Sequence, residues 1–281
     1  MSVGFRGGLP QGLSVAELAE NVALSRSVGW PDDDADWRVL YATAFALGVR
    51  EGGALIAQGA LGRFEPNAGT IAKMVVAPEA QRRRLGCKIL DELIAIAQSS
   101  GLTILGLVAT PLGQALYASR GFEVSGEITV FHGTPALDRA SRGTAALTGI
   151  EPAIAFERRF VSCSRAQMLS ARFREMNAAV ACSGPSGELA GFALATPKAG
   201  HTVLGPIWAE DEATARELVR AVCTAISGPI RLDVPASQST FRAWLSELGL
   251  AEKGVRAEMA RGGPLPWQVP ERFALATQAW G

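Results

Sequence analysis

Histidine occurs only twice in the 281 residues, at His132 and His201, and cysteine four times, at Cys87, Cys163, Cys182 and Cys223. Two histidines so far apart in the chain argue against a His-rich metal site and against the paired-histidine helix of a metalloprotease. Scattered cysteines with no C-x-x-C pair exclude a disulfide framework and a zinc ribbon, and point to a reducing cytoplasm. No G-x-S-x-G elbow is present, so both histidines read as surface or strand-end residues. The fingerprints G-x-G-x-x-G and G-x-x-x-x-G-K-[ST] are missing as well. No apolar run reaches the roughly 18 residues of a spanning helix, and the opening segment 1–6 lacks the apolar core of a secretory leader. Neither sign of charge is in excess, since 27 Lys+Arg face 27 Asp+Glu. That balance removes the electrostatic argument for a nucleic-acid partner and leaves room only for a local cluster holding one small anion. A cytoplasmic protein with no membrane, nucleic-acid or metal partner is expected.

What the chain does contain is an ordinary globular composition, 48% apolar with 31 Gly and 15 Pro, at a length suited to one large domain or two small ones. Helical spacing marks 13–23 and 35–45, separated by Gly29-Trp30-Pro31 and the acidic turn Asp32-Asp33-Asp34. Gly52-Gly53 turns into a strand at 54–61, and another at 70–76 stops at Pro78, which has no N–H to extend a ladder. Leu85, Ile89, Leu90, Leu93, Ile94 and Ala97 share one helical face, with Lys88, Asp91 and Glu92 opposite. Gly101 ends that helix. A buried strand at 103–109, a short helix at 113–120 and a strand at 122–132 follow.

The second half repeats this order, with strands at 188–194 and 202–208, a helix at 213–226, a strand at 229–234 and a short helix at 239–249. A helix is also read over 164–178. Gly, Pro, Ala and Thr dilute the pattern over 134–152, which predicts domains at 1–138 and 152–281. The fold class expected is α/β, with mixed, partly parallel sheets flanked by helices.

The chemistry-bearing segment is 75–87. There a strand stops, turns and becomes a helix start, where N–H groups lack intrahelical partners and the helix dipole adds positive charge. Arg82, Arg83 and Arg84 alone would be a solvated run; directly before Leu85, Gly86 and an amphipathic helix they read as an anion site. Gly86 lets a diphosphate approach the main chain. Val76, Pro78, Gln81 and Gly86 fall in the pattern V-x-P-x-x-[QR]-x-x-G-x-[GA], with Arg84 where the first glycine is usual. Leu116, Tyr117, Gly121 and Phe122 fall in the pattern L-Y-x-x-x-G-F at the right distance downstream. On these two motifs the chain resembles the GNAT superfamily of N-acetyltransferases. Trp30, Asp36-Trp37, the linked second half and the closing segment 271–275 extend the resemblance over the whole chain, to a bacterial branch in which an active GNAT domain precedes a degenerate one.

The resemblance implies that two parallel strands, 70–76 and 103–109, splay apart and admit the pantetheine arm of acetyl-CoA as if it were another strand. Backbone groups of Met74 and Val76 would serve the arm, and an N–H near Val75 or Val76 the thioester oxyanion. Gln81, Arg82, Arg83, Arg84, Leu85, Gly86 and Cys87 would hold the diphosphate, Arg84 donating its N–H from a right-handed helical conformation and Cys87 serving as a small helix-start residue. Tyr117 matches the acid that protonates the leaving thiolate while a primary amine of a small molecule or peptide attacks directly. Thr110, where many relatives carry an asparagine, offers either a hydroxyl to the arm or a strand-end cap. Trp30 and Trp37 read either as walls of an acceptor pocket or as core. The base is open among Glu51, Glu65 and the acidic turn, whose Asp32, Asp34 and Asp36 read first as a solvated turn and helix N-cap.

In the second half the acidic turn at 209–213 would repel a diphosphate, and Leu245 stands where Tyr117 does in the first. That half is expected to bind no acetyl-CoA, to pack on the first and to shape the acceptor site. Two other readings stay open. One is a non-catalytic acyl-CoA-binding or regulatory module, motivated by Arg84 and by the lack of a carboxylate on the splayed strand. The other is an acyltransferase with a longer donor, decided by the space beside Val75 and Leu107. Monomer and homodimer are both compatible with the sequence.

Overall fold

A computed structural model describes residues 9–137 and 140–280. The opening segment 1–6 and residue 138, the expected limit of the first domain, lie outside the described residues. The first half runs β1 (Gln11–Leu13), α1 (Leu18–Ser27), α2 (Asp34–Thr43), β2 (Ala44–Glu51), β3 (Ala54–Phe64), β4 (Ala68–Val76), α3 (Leu85–Ser99), β5 (Ile104–Ala109), α4 (Gln114–Ala118) and β6 (Glu123–Gly133). Asp33 caps α2 through a capping box with Asp36, each side chain accepting the other's backbone N–H. The helix read over 35–45 therefore begins as expected but stops at Thr43, whose hydroxyl donates to Val39 O at 2.7 Å, and β2 takes over at once. β2 escaped the sequence reading because its apolar residues continued the helical pattern. Gly52 and Gly53, with φ of 57° and 88°, make the tight turn into β3.

The second half runs β7 (Thr144–Ala146), α5 (Glu151–Glu157), α6 (Ala166–Arg174), β8 (Ala178–Ser183), β9 (Leu189–Lys198), β10 (His201–Ala209), α7 (Glu212–Ala225), β11 (Ile230–Pro235), α8 (Ser239–Glu247), β12 (Ala251–Arg261) and β13 (Arg272–Ala274). The helix read over 164–178 ends at Arg174, and 178 already opens β8.

One mixed sheet carries all thirteen strands, in the order β1-β2-β3-β4-β5-β12-β6-β11-β10-β9-β8-β7, with β13 on β10. Its centre is a strand exchange. β12 of the second half lies between β5 and β6 of the first, with Met259 opposite Leu107, and β6 lies between β12 and β11, with Phe131 opposite Leu232. Each half thus donates a strand to the other. The exchange carries a buried ion pair: Arg272 Nη1 and Nη2 donate to Glu258 Oε1 and Oε2 at 2.9 and 2.8 Å. The face of α3 formed by Leu85, Ile89, Leu90, Leu93, Ile94 and Ala97 is buried in one core with Ile71, Val75, Leu105 and Leu107, as its spacing predicted.

Candidate active site

Parallel pairing of β4 with β5 ends where Thr70 faces Gly106; beyond it the two strands separate. On its other side β4 stays paired with β3, but the register slips between Gln58 and Ala60, so Lys73 and Met74 form a bulge. Lys73 sits there with φ 53°, a left-handed conformation uncommon outside glycine. The gap and the bulge lie side by side, so the strand turns its side chains into an opening at the sheet's centre. Val75 is sealed in the core, while Met74 and Val76 are partly exposed at the gap.

At the far end of β4 the chain makes a single 3-10 turn at Pro78–Ala80 and then enters α3. The first intrahelical bond runs from Lys88 N–H to Arg84 O at 3.1 Å, which leaves the N–H groups of Leu85, Gly86 and Cys87 outside the helical ladder. Arg84 does not take the right-handed conformation expected of it. Both Arg82 and Arg84 are left-handed, with φ of 62° and 60°; where left-handed residues alternate with right-handed ones, successive N–H groups turn to one side and form a nest. Arg83 carries its guanidinium to Glu51, donating at 2.6 and 2.8 Å, so Glu51 is engaged in an ion pair. Gln81 Nε2 folds back on Val76 O at 3.3 Å, and the Leu85 side chain is core. A Cβ on Gly86 would touch only Leu116 at 3.5 Å and Val76 at 3.7 Å, so the fold itself does not need glycine there. The missing side chain keeps open the space between the end of β4 and α4.

Between the two halves lies a cavity of about 280 Å³. The first half lines it with Trp30, Asp32, Asp36, Lys73, Met74, Thr110 and Tyr117, and the second with Lys198, His201, Arg231, Asp233, Arg256 and the tail Thr277-Gln278-Ala279. Tyr117 is 9% exposed and stacks edge-on against Phe122, with ring centroids 6.1 Å apart. Burial pushes its phenol up to about 12. Thr110 accepts the Gly113 N–H at 2.9 Å through its carbonyl, so its main chain turns toward α4 while its side chain reaches the cavity. Trp37, by contrast, is fully buried in the core with its ring centroid 5.7 Å from that of Tyr41, and lines no part of the cavity. It lies on the inward face of α2 with Leu40, whereas Trp30 sits on the connection before that helix.

The acidic turn caps α2 as expected, through Asp33 and Asp36, but it is not solvated. Asp32 is 7% exposed; its Oδ1 pairs with Lys73 Nζ at 2.6 Å, and its Oδ2 finds no hydrogen-bond partner among the described residues. Asp36 pairs with Lys198 at 2.7 Å. Burial works to raise its carboxyl, but the charges of Lys73, Lys198 and Arg172 hold it below the usual value. Asp34 alone stays exposed at the start of α2. Glu65 lies elsewhere, in a separate depression with Tyr41, Arg63 and Arg165. His132 and His201, distant in the chain, meet with ring centroids 5.5 Å apart; burial first, then His132 and Arg231, push His201 below the usual imidazole value.

The second half has the same splay, and its own chain fills it. β10 and β11 pair in parallel only at Thr202–Ile230 and Val203–Arg231, and then β13 enters between them. Ala209 N–H donates to Glu271 O at 3.0 Å and Leu275 N–H to Asp233 O at 2.9 Å, so β13 is bonded to both walls. Where the first half has its loop, Asp211 instead caps α7 by accepting the Thr214 N–H at 2.8 Å. From β13 the tail runs on to the first half, where Thr70 Oγ1 donates to Ala279 O at 3.2 Å and Trp280 covers Gly62. The cavity residues of the second half had no sequence signal of their own beyond the repeat and the closing 271–275 segment.

A model of the acetyltransferase (GNAT) family matches residues 16–122, and one of the acetyltransferase (GNAT) domain matches 153–272. The uncharacterized N-acetyltransferase YitH of Bacillus subtilis is 23% identical over 217 residues, 75% of this chain and 76% of that relative. A crystal structure from Pyrococcus horikoshii, described as a candidate acetyltransferase, aligns with a TM-score of 0.86 at 15% identity, over 100% of this chain and 98% of that one. A tandem GNAT protein from the clavulanic acid biosynthesis pathway aligns with a TM-score of 0.65 at 17% identity, over 91% and 99%. These two structures share the fold. With one family match on each side of a sheet whose halves exchange strands, the chain belongs to the GNAT superfamily of acetyltransferases and carries two of its domains in tandem.

Proposed function

We propose that the first half moves an acetyl group from acetyl-CoA to a primary amine of a small molecule seated in the cavity between the halves. The observation that carries this is the convergence of Tyr117, Asp32 and the Lys73–Met74 bulge of β4 on one cavity, with the loop at 81–87 following the end of that same strand. The residues fit the cofactor: the widening gap suits an extended arm, and the nest with Gly86 suits a diphosphate. When bound, acetyl-CoA supplies an activated thioester.

The protein supplies the rest. Splayed β4 orients the arm and offers an N–H at Val75 or Val76 to the carbonyl oxygen as charge develops on it. Asp32, held by Lys73 on the cavity wall, takes the amine's proton. Tyr117 keeps its proton at neutral pH because burial disfavours the phenolate, and gives it to the leaving sulfur. Holding both substrates in one water-poor cavity does much of the work of rate enhancement. Val75 and Leu107 are each 3% exposed and absent from the cavity wall, which favours the two-carbon donor over a longer one.

The test is to incubate the protein with acetyl-CoA and a panel of primary amines, following free thiol and the acetylated product by mass. Equal yields of both are expected. Thiol release with no acetylated amine across the panel would overturn the proposal.

A further inference from the structure

The charges around the cavity are matched with one exception. Lys73 pairs with Asp32 at 2.6 Å, Lys198 with Asp36 at 2.7 Å, and Arg231 with Asp233 at 3.0 Å. Arg256 pairs with no carboxylate among the described residues; its one hydrogen bond is from Nη1 to the adjacent Val255 O at 3.0 Å. It is half-buried on β12, the strand that the second half inserts beside β5, next to Ala257, which faces Ala109. Arginine has five N–H donors in a planar fork, and partial burial removes water that would otherwise satisfy them. The cavity wall therefore carries one unmatched cation, at Arg256, and an Asp32 carboxylate that Lys73 engages through only one of its oxygens.

We infer that the acceptor is amphoteric, an amine that also carries a carboxylate, with the amine at Asp32 and the carboxylate on the Arg256 guanidinium. This rests on the transferase reading for the amine's place, but its own content is the second charge. A lone ammonium would satisfy Asp32 and leave the guanidinium unpaired, whereas an amino acid satisfies both and gains a bidentate pair. Lys73, which holds Asp32 from the α1–α2 connection, belongs to β4 and Arg256 to β12, on either side of β5. Two paired-strand spacings come to roughly 10 Å, and the separation of β4 from β5 beyond Thr70 widens the distance between the backbones before side chains reach inward. That span admits chains from α-amino acids to longer ω-amino acids.

The test uses the full-length protein saturated with coenzyme A and calorimetry with matched pairs, each α- or ω-amino acid beside the amine lacking its carboxylate. The carboxylated member should bind tighter by about tenfold or more in at least one pair. In Arg256→Gln that ratio should fall toward one, and in Arg256→Lys it should recover in part, since the charge remains without the fork. Unfolding is no concern for reading the ratio, because both members are measured on the same variant. Equal affinity within every pair, no binding of any carboxylated member, or a ratio untouched by Arg256→Gln would overturn the inference. Tight, Arg256-dependent binding without acetyl transfer would instead uphold it and remove the transferase reading.

Discussion

Lys73 Nζ lies 2.6 Å from Asp32 Oδ1, joining the bulge of β4 to the connection between α1 and α2 through an ion pair whose side chains are only 12% and 9% exposed. Neither charge stands alone in a medium that would tolerate it. Lys73→Met leaves the Asp32 carboxylate buried without its cation, which should cost about 3 kcal/mol or more in urea denaturation. The double variant Lys73→Met with Asp32→Leu removes both charges and should regain much of that loss. A double variant less stable than Lys73→Met would show that the pair does not hold the bulge.

Tyr117→Phe keeps the edge-on packing against Phe122 and deletes only the hydroxyl. We expect kcat to fall by about 100-fold while acetyl-CoA affinity, read by calorimetry, is unchanged. The pH behaviour follows from burial. A phenol pushed up to about 12 keeps its proton throughout neutral and mildly alkaline pH, so no loss of rate below pH 10 should trace to Tyr117. Stability carries the opposite face of the same shift. The native state holds the proton longer than the unfolded chain, so the contribution is fully present below about pH 10 and is lost as pH rises toward 12.

Gly86→Leu separates the fold from the ligand. Its Cβ meets nothing closer than 3.5 Å, and leucine is the better helix former, so the melting temperature should hold or rise. The rest of the side chain enters the space beside the nest. Coenzyme A affinity should then drop by roughly tenfold or more, and unchanged binding would place the diphosphate elsewhere.

Arg84→Gly relieves a left-handed arginine at the α3 cap. The strain removed is about 1–2 kcal/mol and the added unfolded-state freedom about 0.4–1 kcal/mol, for a net gain of up to about 1.6 kcal/mol. Thermal denaturation of the two proteins side by side measures it. A loss of stability would mean that the arginine side chain contributes more than its backbone costs.

The loop from Val76 to Gly86 and the segment from Leu116 to Phe122 were legible because each is contiguous: spacing along the chain sets the local backbone, and the backbone is the site. Trp30 and Trp37 were not separable, since seven residues apart both flank the same turn, and only the packing of α2 decides which one faces inward. Asp32 read as solvent-facing because its partner, Lys73, is 41 positions away and its cavity has a far wall built from the other half. β12 was harder still. Glu252, Lys253, Arg256, Glu258 and Arg261 give it the look of a surface segment, yet Glu258 is 2% exposed because Arg272 meets it in the core. Charge signals the surface only when no opposite charge arrives from elsewhere in the chain.

The two halves share the splay but not its use, and the number of coenzyme A molecules bound per chain reads that difference directly. In the second half β13 takes the place an extended ligand would need: its ends bond to β10 through Glu271 O and to β11 through the Leu275 N–H. It is anchored by Arg272, whose bidentate pair with Glu258 ties it to the exchanged strand β12. Burial tends to raise the Glu258 carboxyl, but the Arg272 charge and its bonds hold it below the usual value, so this anchor is lost only as pH falls below the ordinary glutamate range. The side chain at Gly205 is excluded for the same reason, because a Cβ there would stand 1.9 Å from Leu275 O. Calorimetry should therefore give one coenzyme A per chain, and Arg272→Ala should lower stability by about 3–5 kcal/mol, the cost of a buried carboxylate left alone. A stoichiometry of two would mean that β13 yields to the ligand and that the second splay is a working site.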